Sequence, residues 1–117
     1  MLGDLSGVAK IYIITGRTDM RKSFDGLMAI IRDTYKLDPF ANALYIFCGR
    51  KNNTIKALHF DKDGFVLLTK KLDSGSYQWP RNSEEAKLLT RQQFRWLMEG
   101  LAIEQPKAIK SSTNRDF

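Results

Sequence analysis

The stretch Leu44-Tyr45-Ile46-Phe47-Cys48, Gly49-Arg50-Lys51-Asn52-Asn53, Thr54-Ile55-Lys56-Ala57-Leu58-His59-Phe60, Asp61-Lys62-Asp63-Gly64, Phe65-Val66-Leu67-Leu68-Thr69-Lys70-Lys71-Leu72 reads as three strands separated by two turns. Aliphatic, β-branched and aromatic residues fill residues 44–48, 54–60 and 65–72, and each break is made of residues that favour turns. Asn52-Asn53 and Asp63-Gly64 tolerate the positive φ angles that tight hairpins demand. A three-stranded antiparallel meander is therefore expected at the centre of the chain.

Working outward, residues 10–15 (Lys-Ile-Tyr-Ile-Ile-Thr) predict a further strand that stops at Gly16. A helix follows. Thr18 or Asp19 can accept hydrogen bonds from the free N–H groups of its first turn, and Met20, Phe24, Leu27, Met28, Ile31 and Tyr35 recur at three- and four-residue spacing. Gly26 inside that stripe costs about 1 kcal/mol relative to alanine, which marks a place where another element comes close. The helix ends before Asp38-Pro39, because the residue preceding proline is pushed out of helical geometry. On the other side of the meander, residues 73–80 form a loop whose Tyr77 and Trp79 are expected to tuck against the body. Residues 81–89 fit a short helix or a further strand. Thr90 and Gln93 form a capping box, and Phe94, Leu97, Met98 and Leu101 follow at helical spacing until Gly100 supplies a C-terminal stop.

The fold class implied is α+β: an antiparallel sheet of about four strands with two helices, near residues 19–35 and 90–99, packed on one face. Residues 1–103 are expected to make one domain, and the polar, basic residues 104–117 a mobile tail. At 117 residues the chain is long enough for one self-sufficient core. The residues contain no apolar run of the roughly 20 positions needed to cross a bilayer, and residues 1–10 lack a secretory layout, so the expected location is the cytoplasm, away from membranes. Cys48, the only cysteine, offers neither an internal disulfide nor a multi-cysteine metal site.

The inventory for catalysis is thin, with His59 the only histidine and Cys48 the only thiol. Asp61-x-Asp63-Gly64 has the opening of a calcium loop but is followed at once by the apolar run Phe65 to Leu68, where the later acidic ligands would stand. Asp19, Asp25, Asp61 and Asp63 would have to converge to serve a two-metal nuclease, and helix capping or solvated turns explain them more simply. No catalytic residue, metal or cofactor is expected. The basic residues are more informative: 19 Lys and Arg oppose 13 Asp and Glu, with a net charge of +6. Residues 38–72 are the most basic segment, with six bases against three acids. Arg17, Arg21 and Lys22 flank the first helix, Arg50 and Lys51 crown a hairpin, Lys56, Lys70 and Lys71 lie on strands, and Arg81 stands beside the aromatic loop. Gathered on one surface, they suit a phosphate backbone; scattered, they simply keep an open sheet face solvated.

The string as a whole carries more. Gly16-Arg17-Thr18-Asp19-Met20-Arg21-Lys22-Ser23-Phe24-Asp25-Gly26-Leu27, Asp38-Pro39-Phe40, Lys70-Lys71-Leu72, Tyr77-Gln78-Trp79-Pro80 and Leu97-Met98-Glu99-Gly100 occur in that order and closely resemble the TnpB accessory proteins, called "Orf2-like", of insertion-sequence-66 type bacterial transposable elements. The resemblance implies a role in transposition beside a separate transposase that carries the DNA-cutting chemistry. Motif residues such as Asp19, Arg21, Lys22, Asp25, Arg50, Lys56, Trp79 and Pro80 bring no assigned roles with them. The chain departs from the pattern at His59-Phe60, where a pair ending in tryptophan is usual, and at Lys71, where arginine is common and the two-pronged geometry is lost.

Two functions are expected to compete. One is a non-catalytic DNA-binding module that grips element ends through Arg17, Arg21, Lys22, Arg50, Lys51, Lys56, Lys70, Lys71 and Arg81. The other is an adaptor that binds the transposase or another accessory protein of the element, with Phe40, Tyr77, Trp79 and Pro80 as an aromatic anchor. Those aromatics also suit a loop that merely caps the core.

Overall fold

The computed structural model of the protein describes residues 5–107 and 109, so most of the expected tail lies outside the described residues. Five strands, β1 (Lys10–Arg17), β2 (Ala43–Cys48), β3 (Thr54–Asp61), β4 (Gly64–Lys71) and β5 (Ala86–Leu89), form one sheet in the order β4-β3-β2-β1-β5. The meander β2-β3-β4 is antiparallel throughout, with register pairs Phe47–Lys56 and Leu58–Leu67. Asn52 and Lys62 take the positive φ angles of its two turns (59° and 58°), so in the second turn that conformation falls on Lys62 and not on the expected Asp63-Gly64 pair.

The expected four-stranded antiparallel sheet is corrected in two respects. Residues 81–89 supply a fifth strand, β5, antiparallel to β1, and β1 runs parallel to β2. A parallel pair needs a long crossover, and residues 18–42 provide it with a helix, α1 (Phe24–Ala29), that continues through a π-helical turn at Ile30–Thr34. The π turn is visible in Tyr35 N–H donating to Ile30 O, five residues back, and Lys36 at φ 56° ends it.

The helices also lie on opposite faces of the sheet, not on one. Leu27 and Ile31 of the crossover pack with Ile14, Ala43, Tyr45, Phe47 and Leu58. The second helix, α2 (Arg91–Met98), sets Phe94 and Leu97 on the other face with Ile11, Ile13, Leu44, Ile46, Cys48, Ile55 and Ala57. The physical sign of this is β2 itself: all six residues are buried, as expected of a strand covered on both sides. The capping box of α2 is formed as expected, with Thr90 Oγ1 accepting from Gln93 N–H and Thr90 N–H donating to Gln93 Oε1, both at 3.0 Å.

The crossover helix begins at Phe24, later than expected, because residues 18–22 form a docked turn. Thr18 N–H donates to Cys48 O, Lys22 N–H donates to Asp19 O, and Met20 lies over Gly49, where a Cβ would stand 2.7 Å from Met20 Cγ. At Gly26 no other element comes close, contrary to expectation: the neighbour is the stem of Lys22, four residues earlier in the same crossover, 3.2 Å from where a Cβ would sit. Between β4 and β5 the chain runs as a strap, residues 72–85, across β3, β2 and β1, with Tyr77 and Trp79 buried on the α2 face.

Candidate nucleic-acid interface

One end of the sheet holds the C-terminal ends of β1, β2 and β4 and the N-terminal ends of β3 and β5. Topology therefore collects there every basic residue singled out from the sequence. Arg17 closes β1, opposite Cys48; Arg21 and Lys22 lie in the docked turn beyond it. Arg50 and Lys51 occupy the β2–β3 turn, Lys56 follows on β3, and Lys70 and Lys71 end β4 opposite Ile55 and Thr54. Arg81 comes from the strap. At the other end of the sheet lie Asp61, which closes β3, and Lys62 and Asp63 of the β3–β4 turn, near Phe40.

These cations differ in what their side chains already hold. Arg17, Lys22, Arg50, Lys51, Lys70 and Lys71 are exposed and, among the described residues, hold no side-chain hydrogen bond or ion pair. Lys56 donates from Nζ to Lys22 O at 2.6 Å, which ties β3 to the start of the crossover helix. Arg21 grips Asp19 with Nε and Nη2, at 3.0 Å to Oδ1 and 2.7 Å to Oδ2. Those hydrogen bonds, together with one from Arg21 N–H, hold the Asp19 carboxyl well below the usual carboxylate range.

Arg81 is a clamp. Its Nη1 donates to Thr15 O at 3.1 Å, and its Nη2 donates to Gly49 O at 2.5 Å and to Asn52 Oδ1 at 2.6 Å. It thereby joins the strap, the end of β1 and the β2–β3 turn, and its partial burial pulls its proton affinity down from the ordinary value. The β1 end it grips is irregular: pairing passes from Ile14–Phe47 to Arg17–Cys48, leaving Thr15 and Gly16 out of register. Thr15 is buried and binds the strap in turn, its Oγ1 donating to Ser83 O and accepting from Glu85 N–H. A polar cleft of about 350 Å³ opens between Arg17, Arg81 and Glu84. Clamping of this kind carries no sequence signature beyond an arginine near a glycine turn, so residue type alone could not separate Arg81 from the free cations.

The aromatic candidates divide as well. Tyr77 and Trp79 are 2% and 4% exposed, edge to face at 6.4 Å, and Trp79 Nε1 donates to Ile14 O at 2.8 Å. They fill the α2-face core and are not presented at the surface. Pro80 is half-buried, while Phe40, at 54% exposure, leans on Phe60 and Phe65 with all three ring centroids 5.0–5.2 Å apart. Asp61 and Asp63 lie at the opposite end of the sheet from Asp19 and Asp25, so the four carboxylates do not converge. Among the described residues no group of three or more His, Cys, Asp or Glu side chains gathers to hold a metal ion. His59 Nδ1 sits 3.0 Å from Ala43 O, and burial pushes the Cys48 thiol up to about 11. No described helix is long and apolar enough to cross a membrane.

A family model described as "IS66 Orf2 like protein" matches residues 9–108. Two curated relatives come from Sinorhizobium fredii (strain NBRC 101917 / NGR234). Uncharacterized protein y4hO is 33% identical over 98 residues, covering 84% of this chain and 85% of the relative. Uncharacterized protein y4jC is 27% identical over 101 residues, covering 86% of each. No solved structure matches the chain.

Proposed function

The chain belongs to the IS66 Orf2-like family of transposition accessory proteins, and from that premise we propose that its basic sheet end binds the phosphate backbone of DNA at the ends of the element, assisting a separate transposase without cutting DNA itself. The observation that carries this reading is the convergence of Arg17, Lys22, Arg50, Lys51, Lys70 and Lys71 at one end of the sheet with their side chains unengaged. Flexible, hydrated cations on strand ends and turns suit contact with phosphates, which positions a duplex without reading its sequence. Arg21 and Lys56 already serve internal partners and add to the field, while Arg81 acts by holding the β2–β3 turn in place.

The test is a titration of element-end and scrambled duplexes across salt concentrations. Six phosphate contacts give a log–log slope of roughly −5, and Arg50→Glu with Lys51→Glu lowers its size by about 2 on both duplexes. Absence of binding to element-end duplex at low salt overturns the proposal. The adaptor reading keeps one observation of its own, the exposed Phe40 on its aromatic cluster. Loss of transposase capture by Phe40→Ala, with DNA binding unchanged, would favour it.

A further inference from the structure

Strand β4 is an edge: among the described residues its ladder partner is β3, and no backbone hydrogen bond reaches its other side. Natural edges are usually blunted by brevity, a bulge, proline or charged side chains, lysine above all. β4 is neither short, bulged nor broken by proline, and its two lysines, Lys70 and Lys71, stand together at one end. Its eight residues pair with β3 in unbroken register, and Phe65-Val66-Leu67-Leu68-Thr69 carries no charge. β5, the opposite edge, is only four residues long.

We infer that the free edge of β4 pairs antiparallel with the same edge of a second copy of this chain, joining two five-stranded sheets into one of ten. Hydrogen-bond alternation limits the registers. Asp61 and Gly64 close a two-residue turn and so form a hydrogen-bonded pair, which turns the N–H and C=O groups of Phe65, Leu67, Thr69 and Lys71 away from β3. Self-pairing must match those outward residues with one another. Centring on Leu67 sets Phe65 opposite Thr69, Val66 opposite Leu68, and Lys71 opposite Asp63 of the second copy, each twice by symmetry, so that in the dimer Lys71 serves the second copy and the other five unengaged cations of each chain are left for phosphate. Sliding by two residues toward the turn sets Lys71 against Asp61 but also Lys70 against Lys62, which cancels the gain and leaves only residues 64–68 of β4 in the ladder, and sliding the other way sets Lys71 against Phe65. Charge complementarity thus selects a second copy in one register. Opposite charges face each other across the ladder, and apolar side chains continue on both sheet faces.

Sedimentation equilibrium of the full chain tests this. The wild type should be a dimer, and Thr69→Pro, at an exposed position whose N–H points outward, should be a monomer with an unchanged circular dichroism spectrum. Lys71→Asp should weaken the dimer roughly tenfold or more, and Lys71→Asp with Asp63→Lys should restore it; this pair decides the matter if Thr69→Pro does not fold. A monomeric wild type at the highest attainable concentration overturns the inference. So does a dimer that ignores both Thr69→Pro and Lys71→Asp, since its interface lies elsewhere.

Discussion

Replacing Arg81 with lysine preserves the charge at the basic end and removes the fork that clamps it. A lysine ammonium in that position reaches one of the three acceptors, Thr15 O, Gly49 O or Asn52 Oδ1, and cannot span the others. A hydrogen bond from a charged donor contributes about 1.5–3 kcal/mol, and partial exposure of this site sets the loss of two such bonds near the bottom of that range, about 2–3 kcal/mol in all. For a chain of this size that corresponds to a fall in Tm of roughly 10 °C. Urea unfolding followed by tryptophan fluorescence is the direct assay, because Trp79 is buried in the strap that Arg81 anchors. The midpoint should drop while the slope m stays constant. Arg50→Glu with Lys51→Glu, in the same turn but with free side chains, should leave stability within about 0.5 kcal/mol. If Arg81→Lys unfolds at the wild-type midpoint, the clamp is refuted and Arg81 returns to the set of free cations.

Three further outcomes are expected. Cys48 should resist a thiol reagent at pH 8 in the folded protein and react at once in denaturant. Its folded pKa, raised to about 11, lies above the unfolded value near 9.0, so its contribution is whole below pH 9 and disappears as pH climbs toward 11; Cys48→Ala should flatten that part of the alkaline stability curve. Asp19 should titrate by NMR below the ordinary aspartate range and return toward it in Arg21→Ala; because its pKa is depressed, whatever it adds to stability is present above the unfolded pKa and lost as pH falls through the folded one. Gly49→Ala should destabilise by about 1–3 kcal/mol, as its Cβ meets Met20 Cγ, and Met20→Ala added to it should recover part of the loss in thermal melts.

The meander was legible because its signals are local: alternation in residues 54–60 and turn chemistry at Asn52 act over a few positions. Thr90 and Gln93 likewise announce α2 by direct contact. The parallel pairing of β1 with β2 depends on partners more than thirty residues apart, and no local pattern encodes it. A sign of the two-sided core was nevertheless present. Residues 43–48 run apolar without alternation, which fits a strand buried on both faces and so a helix on each face, not two on one. The late start of α1 has a different cause: Asp19, a good capping residue by type, is held by Arg21, and Ser23 stands at the helix start instead. For the site, the sequence named the cations but could not sort them, because Arg81 and Arg50 differ only in what the fold brings beside them.

The strap between β4 and β5 also governs when the sheet can be completed. β1 precedes the meander in the chain, yet its antiparallel neighbour β5, which pairs Leu89 with Ile11, follows the meander. During synthesis the β5 side of β1 stays open while the meander can already close on itself through short turns. Long-range pairing of this kind is slow because the loop entropy is lost before the contacts form. Closure of β5 on β1 is therefore expected to trail the meander, and the strap residues Trp79 and Arg81, which bond to Ile14 O and Thr15 O, hold the closed pair in place.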